Sequence, residues 1–297
     1  MNTNVITALV RRNIKLFLKD KMTLFFTFLG PFIILLLNLL FIRKVEVDSL
    51  RQAVAGLPVT DALLGNLADS YCIAGILAVS ALTVALNSSM TRVADENRHV
   101  ADDFKAAPVK AWKVDLAYFL SSFVLTVALC ALVLVIGLVY LAAQGMAIDA
   151  GVVLRGVGLL LLSCLSSTAF MTFLFRFFKT TQACGAFSGI VSALSGFAVG
   201  AYVQLSAFSV GMQSVLSLLP ASHSAALFRR LLLGVPLAEL PAPFAASLAE
   251  EYTFDLHFLG GMAQTPVQLC WLGASVAVFF GLNLLVYRLQ RKKRARG

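Results

Sequence analysis

Six stretches of the chain carry no Asp, Glu, Lys or Arg for twenty residues or more: 22–42, 70–91, 116–148, 156–175, 180–228 and 256–287. Each charged side chain at mid-bilayer costs about 2.5–3.5 kcal/mol on insertion scales, so runs of this length select for lipid as the solvent. A helix crosses about 30 Å of hydrocarbon in about 20 residues, and the pattern predicts helical spans at about 22–42, 69–90, 116–142, 153–175, 183–203 and 267–288. The stretch 180–228 is long enough for two crossings, but Pro220 interrupts it. Residues 204–219 and 222–233 read as a re-entrant or interfacial hairpin on the outer side. An external loop rich in Pro and Gly follows up to 268, so that 204–266 forms an outer hairpin and loop. A layout of seven or eight spans is the competing arrangement.

Charge placement orients these spans. Eighteen of the 24 Lys and Arg residues fall before the first span, between the second and third, between the fourth and fifth, or after the last. That bias puts both termini in the cytoplasm and makes the span count even. Across the chain, 59% of residues are apolar and 13% charged, with a mean hydropathy of +0.87. This excludes an ordinary water-soluble domain and a disordered chain. The fold class is therefore an all-α polytopic membrane protein, one transmembrane domain over 1–297. The first apolar run is too long for a cleaved signal peptide and lacks a small-residue cleavage site, so it reads as an anchor. Five cysteines in or beside the spans read as buried free thiols.

Four groups of residues are candidates for function. Residues 5–21 form an amphipathic helix in which Arg11, Arg12, Lys15 and Lys19 share one arc and Ile6, Leu9, Val10, Ile14 and Phe17 the other. It is either a topology anchor or an anchor that also meets a cytoplasmic partner. The segment 91–115 is the most charged piece, with Glu96, Arg98, Asp102, Asp103, Phe104 and Pro108. Its mixed signs exclude a nucleic-acid patch and suit either a solvated connection or docking to a soluble protein. In the fifth span Gly185 and Gly189, with Gly196 and Gly200, leave a face with little bulk, for packing within the chain or for a dimer seam. Pro31 is a kink or hinge in the first span. Asn38 and Asn283 are interhelical hydrogen-bond partners or substrate ligands. His223, Arg229 and Arg230 on the outer hairpin meet an anionic group or snorkel at the interface. No phosphate-loop pattern, hydrolase motif or metal-ligand spacing occurs, so no catalytic or metal residue is assigned and this chain itself carries no cofactor.

In order, these residues resemble a known family. LVRRNIKLFLKDKMTLFFTFLGPFIILLLNLLFI, DENRHVADDFKAAPVKAWKVDLAYFLSSFV and LLPASHSAALFRRLLLG are similar to the opening, the cytoplasmic segment and the outer segment of the membrane subunits of ATP-binding-cassette exporters of the type-2 permease family. The resemblance implies six spans with an N-terminal elbow helix, a second permease subunit as homodimer or heterodimer partner, and a separate ATPase subunit holding ATP and magnesium. It implies a bacterial inner or plasma membrane location. By the same resemblance, Arg11, Arg12 and Lys15 lie on the elbow and Glu96, Arg98, Asp102, Asp103 and Phe104 on or near the coupling segment. The implied activity is ATP-driven export of an amphiphile such as a drug, peptide, lipid or glycan precursor, without enzymatic activity in this chain. A secondary transporter or channel that works without an ATPase is the alternative class.

Overall fold

The computed structural model of the protein describes residues 3–54, 59–107 and 109–294. Pro108, one of the residues assigned to the coupling segment, lies outside them. The first helix, α1 (Thr3–Lys19), is amphipathic and lies against the helix that forms the third apolar run. A single residue, Asp20, separates it from α2 (Lys21–Leu37). Asp20 caps α2 by accepting hydrogen bonds from Thr23 N at 3.0 Å and Thr23 Oγ1 at 2.8 Å.

α2 does not stop where the apolar run ends. It continues through a π-helical turn (Asn38–Ile42) into α3 (Arg43–Ala53), so one helix runs over Lys21–Ala53, with Pro31 buried inside it. The π turn widens the helix at a point where the sequence changes from apolar to charged.

α4 (Asp61–Asn97) is the axis of the molecule and is buried on nearly every side. Between 70 and 91 it carries no charge and shows no amphipathic face, as a central helix requires. Small residues let neighbours come close: a Cβ on Gly75 would lie 2.8 Å from Cβ of Ala201. Around this axis stand α2, α6 (Ala111–Ala143), α7 (Ala150–Leu174), α8 (Thr181–Ala198) and α10 (Pro220–Leu237), while α12 (Thr265–Arg294) packs on α7 and α10. A short helix, α5 (Val100–Ala106), joins α4 to α6, and a 3₁₀ turn (Phe175–Phe177) ends α7. The outer surfaces carry exposed Phe25, Phe32, Leu132, Val135, Ile136 and Val139. An apolar surface of that extent belongs in hydrocarbon.

Among the described residues five helices are long and apolar enough to cross a membrane: Lys21–Ala53, Asp61–Asn97, Ala111–Ala143, Ala150–Phe177 and Thr265–Val286. The helix at the fifth predicted span, α8, has 18 residues and is not among them. The chain is thus an all-α, multi-pass membrane protein.

The region from 204 to 266 is more structured than its Pro and Gly content suggests. It holds α9 (Val210–Leu216), α10, α11 (Ala242–Glu251) and a hairpin of β1 (Leu256–Phe258) and β2 (Gly261–Ala263). Two prolines here open helices: Pro220 occupies the first turn of α10 and Pro241 precedes α11, while Pro236 lies in the last turn of α10. The hairpin turns at Leu259 and Gly260, both with positive φ. Of the five cysteines, 72, 130, 164 and 184 are buried thiols, whereas Cys270 is exposed.

Candidate functional site

The polar groups concentrate where α4 meets α1, α5 and α6. At this end α4 extends two turns past its apolar section, so the charged stretch from Thr91 to Asn97 is helix and not loop. Asp95 is nearly buried there and grips Arg12 of α1 with both oxygens, Nη1 to Oδ2 at 2.7 Å and Nη2 to Oδ1 at 2.9 Å. The planar guanidinium matches a carboxylate in this two-bond form, which fixes orientation as well as charge. Tyr118 of α6 donates to the same Asp95 Oδ2 at 2.6 Å. The Arg12 guanidinium also lies 5.5 Å over the Phe104 ring of α5. Next to it, Asn13 is buried, accepts from Arg12 at 3.0 Å and donates to Ser121 at 3.3 Å. The hydrogen bond from Arg12 to Asp95, working against burial, raises the arginine above its ordinary value and holds it charged.

A second set of charges continues from this point. Arg92 of α4 lies 3.4 Å from Asp115 and 3.6 Å from Glu96. Arg176, in the turn after α7, reaches Asp115 at 3.3 Å and donates from Nε to Asn283 Oδ1 of α12 at 2.5 Å. Asn283 in turn donates to Ala169 O of α7 at 3.3 Å. Asn97 donates to Thr181 at the start of α8 at 3.0 Å. The end of α4 is therefore bonded to α1, α6 and α8, and through Asp115 and Arg176 the network continues to α7 and α12.

The structure brings together Arg12 and Phe104 from the sequence-predicted set, while Glu96 pairs with Arg92. Arg11, Lys15, Arg98 and Asp103 are exposed at the same end. Asp102 is exposed and lies 3.2 Å from Nδ1 of His99, whose left-handed backbone makes the turn into α5. Sequence reasoning misses Asp95, Tyr118, Arg92, Asp115 and Arg176 as a group. Their signal is the placement of Arg92, Asp95 and Glu96 at helical spacing, which continues α4 beyond the apolar run.

At the other end of α4 the outer-hairpin expectation needs correction. Arg229 does not face solvent or lipid; its residue is fully buried. It donates to the carbonyls of Val199 and Gly200 at the end of α8, to the latter at 2.8 Å, and to Thr253 Oγ1 at 3.2 Å, and its guanidinium stacks 4.7 Å over Tyr71. The reason is electrostatic: the carbonyl end of α8 offers partial negative charge that a buried cation neutralises. His223 is likewise buried, bonded to Ser217 O at 2.7 Å and packed against Phe258. Arg230 is the one of the three that reaches the surface, paired with Asp255 at 2.6 Å.

The small-residue face of the fifth predicted span is also divided. Gly185 and Gly189 are open, with nothing within 4 Å of where a methyl group would stand, whereas Gly196 is covered by Tyr202. Gly200 is not on the helix face at all, since its φ of 72° turns the chain past the helix end. Asn38 is buried at the head of the π turn, beside the Asp69 carboxylate of α4.

A profile of the ABC-2 family transporter proteins matches residues 64–285, from the start of α4 into α12. The chain belongs to this family of membrane-embedded transport subunits. Comparison with curated proteins finds no match.

Proposed function

We propose that the chain is the permease subunit of an ATP-driven exporter, with its polar cluster at the end of α4 receiving the stroke of a separate ATPase. The observation that carries this reading is the Arg12 contact set. One guanidinium touches α4 and α5 from its place on α1, so a push on α5 is passed to the elbow and to the central helix at once. The exposed charges around α5, Arg98, Asp102 and Asp103, form the docking surface, and Arg11 and Lys15 border it. ATP and magnesium sit on the partner, whose closure tilts the spans and shifts the chain between two access states.

In this reading α1 lies along the inner leaflet as the elbow. Six spans cross, with α8 as the fifth. The contacts of its two ends with α4, Thr181 to Asn97 and Gly200 to Tyr71, support that count. The α9–α10 pair is the re-entrant element. Both termini are cytoplasmic in a bacterial inner membrane, as the distribution of basic residues supports. The open face of α8 at Gly185 and Gly189, together with the exposed side of α2, is the surface for a second permease subunit. The substrate is an amphiphile moved outward.

Reversing both charges, Asp102→Lys with Asp103→Lys, tests the docking surface. The variant is expected to keep its helical content and thermal transition while losing ATP-driven transport by the assembled complex. Unimpaired transport removes these acids from the coupling role.

A further inference from the structure

α7 and α8 are consecutive helices joined by a short turn, yet they splay apart instead of packing. Between them lies a cavity of about 590 Å³, with Leu82 of α4 on its wall, α9 and the start of α10 at one end, and a side open to the surroundings. Phe187, on its wall, packs on Phe178 at 5.0 Å and on Phe175 at 6.0 Å. The walls run along α8 from Phe187 to Ala198, about 16 Å at 1.5 Å per residue.

The wall chemistry narrows the occupant. Ser167 and Ser195 are the only hydroxyl groups among its lining residues, and Ser195 is already bonded to Ser192 O of its own helix at 2.8 Å. A stable water needs two to four polar partners, which these walls do not offer, so the space does not favour hydration. Interiors close-pack, and a void of this size leaves Phe170, Leu194 and Met212 without neighbours on one side. A flexible hydrocarbon chain entering from the side fits the length, the apolar walls and the lateral opening.

We propose that the α7–α8 cavity is a binding site for a single hydrocarbon chain of an amphiphile whose polar head stays outside. It rests on the membrane-embedded reading of the chain and not on the ATPase partnership. The same chemistry is available from a resident bilayer phospholipid and from the transported amphiphile.

The test uses the full chain in vesicles containing phosphatidylglycerol with a diazirine on one acyl chain, photolysed and mapped by peptide mass spectrometry. Cross-links are expected to concentrate on Phe170, Leu174, Ile190 and Leu194. They should drop to the level seen at lipid-facing Val139 when the cavity is filled by Leu194→Trp at its rim or, separately, by Ala198→Phe deeper in, and stay unchanged in Val139→Phe. Uniform labelling of all lipid-facing helices, or labelling indifferent to both filling variants in folded protein, overturns the proposal. With the ATPase partner present, a cross-link that persists unchanged through ATP turnover identifies a resident lipid. One that is depleted while labelled lipid appears in the opposite leaflet identifies cargo. If no ATPase partner exists, the concentrated cross-links remain and only the permease reading fails.

Discussion

Arg43 holds Asp69 across two helices, its Nε 3.0 Å from Oδ1 of a carboxylate whose side chain has no solvent exposure. Tyr140 of α6 adds a third partner at 3.3 Å. Asp69 and Asp95 lie 26 residues apart on α4, about 39 Å along its axis. The segment α1–α3 is thus fastened to the central helix at both ends, by Arg12 at one and Arg43 at the other. Between the two fastenings it buries only a narrow strip, including Gly30, Pro31 and Ile34.

Removing one partner of the Arg43–Asp69 pair leaves a buried charge. Arg43→Ala is expected to destabilise the protein by about 2 kcal/mol, held down by the partial exposure of Arg43. The double variant Arg43→Met, Asp69→Leu should recover most of that loss. Thermal unfolding in detergent measures both. A double variant as unstable as the single one contradicts the pair's role.

At the opposite fastening, Tyr118→Phe removes one hydrogen bond and should cost about 1 kcal/mol. Asp95→Asn, which keeps the shape but loses the charge, should cost more, about 2 kcal/mol, and should reduce transport more than it reduces ATP hydrolysis. Arg12→Lys is not a substitute, because an ammonium cannot form the two-bond grip. Comparing the ratio of transport to hydrolysis in the three variants checks the order.

Arg229→Met takes a donor from three acceptors, Val199 O, Gly200 O and Thr253 Oγ1, and leaves Gly200 O with the Tyr71 hydroxyl. The expected destabilisation is about 3 kcal/mol, with Arg229→Lys only partly protective. Hydrogen exchange at the end of α8 should rise first. Unchanged exchange there contradicts the role of Arg229 in holding the end of α8.

The Asp20 cap responds to pH. Hydrogen bonds from Thr23 hold its carboxyl below the ordinary value of 3.8. Because the folded value is the lower one, the cap contributes fully above pH 3.8 and its contribution fades as pH falls through the folded value. Asp20→Ala is expected to cost about 1 kcal/mol at about pH 7 and nearly nothing at the acid end. A pH-independent difference between variant and parent refutes the capping role.

Much of the architecture is written in the spacing of charges. The apolar runs mark α2, α4, α6, α7 and α12, because a charge at mid-bilayer is too costly to be placed casually. The ends are less legible. Once a helix leaves hydrocarbon, charge no longer marks its boundary, so the apolar run of α4 ends at Thr91 while the helix itself continues to Asn97. The burial of Arg229 is invisible for a related reason: its partners include backbone carbonyls, which have no sequence signature. Gly196 and Gly200 repeat the four-residue spacing of Gly185 and Gly189, yet one is covered by Tyr202 and the other serves a turn. Arg12 and Phe104 stand out by the resemblance of their segments to the permease family, but Asp95, which holds Arg12 beside Phe104, is hidden among the mixed charges around it.

The most direct test is affinity purification of the full chain in mild detergent, followed by reconstitution. A phosphate-loop ATPase is expected to accompany the chain, and vesicles are expected to move an amphiphile only when that companion hydrolyses ATP. Steady, nucleotide-independent solute movement by vesicles holding the chain alone contradicts the permease function.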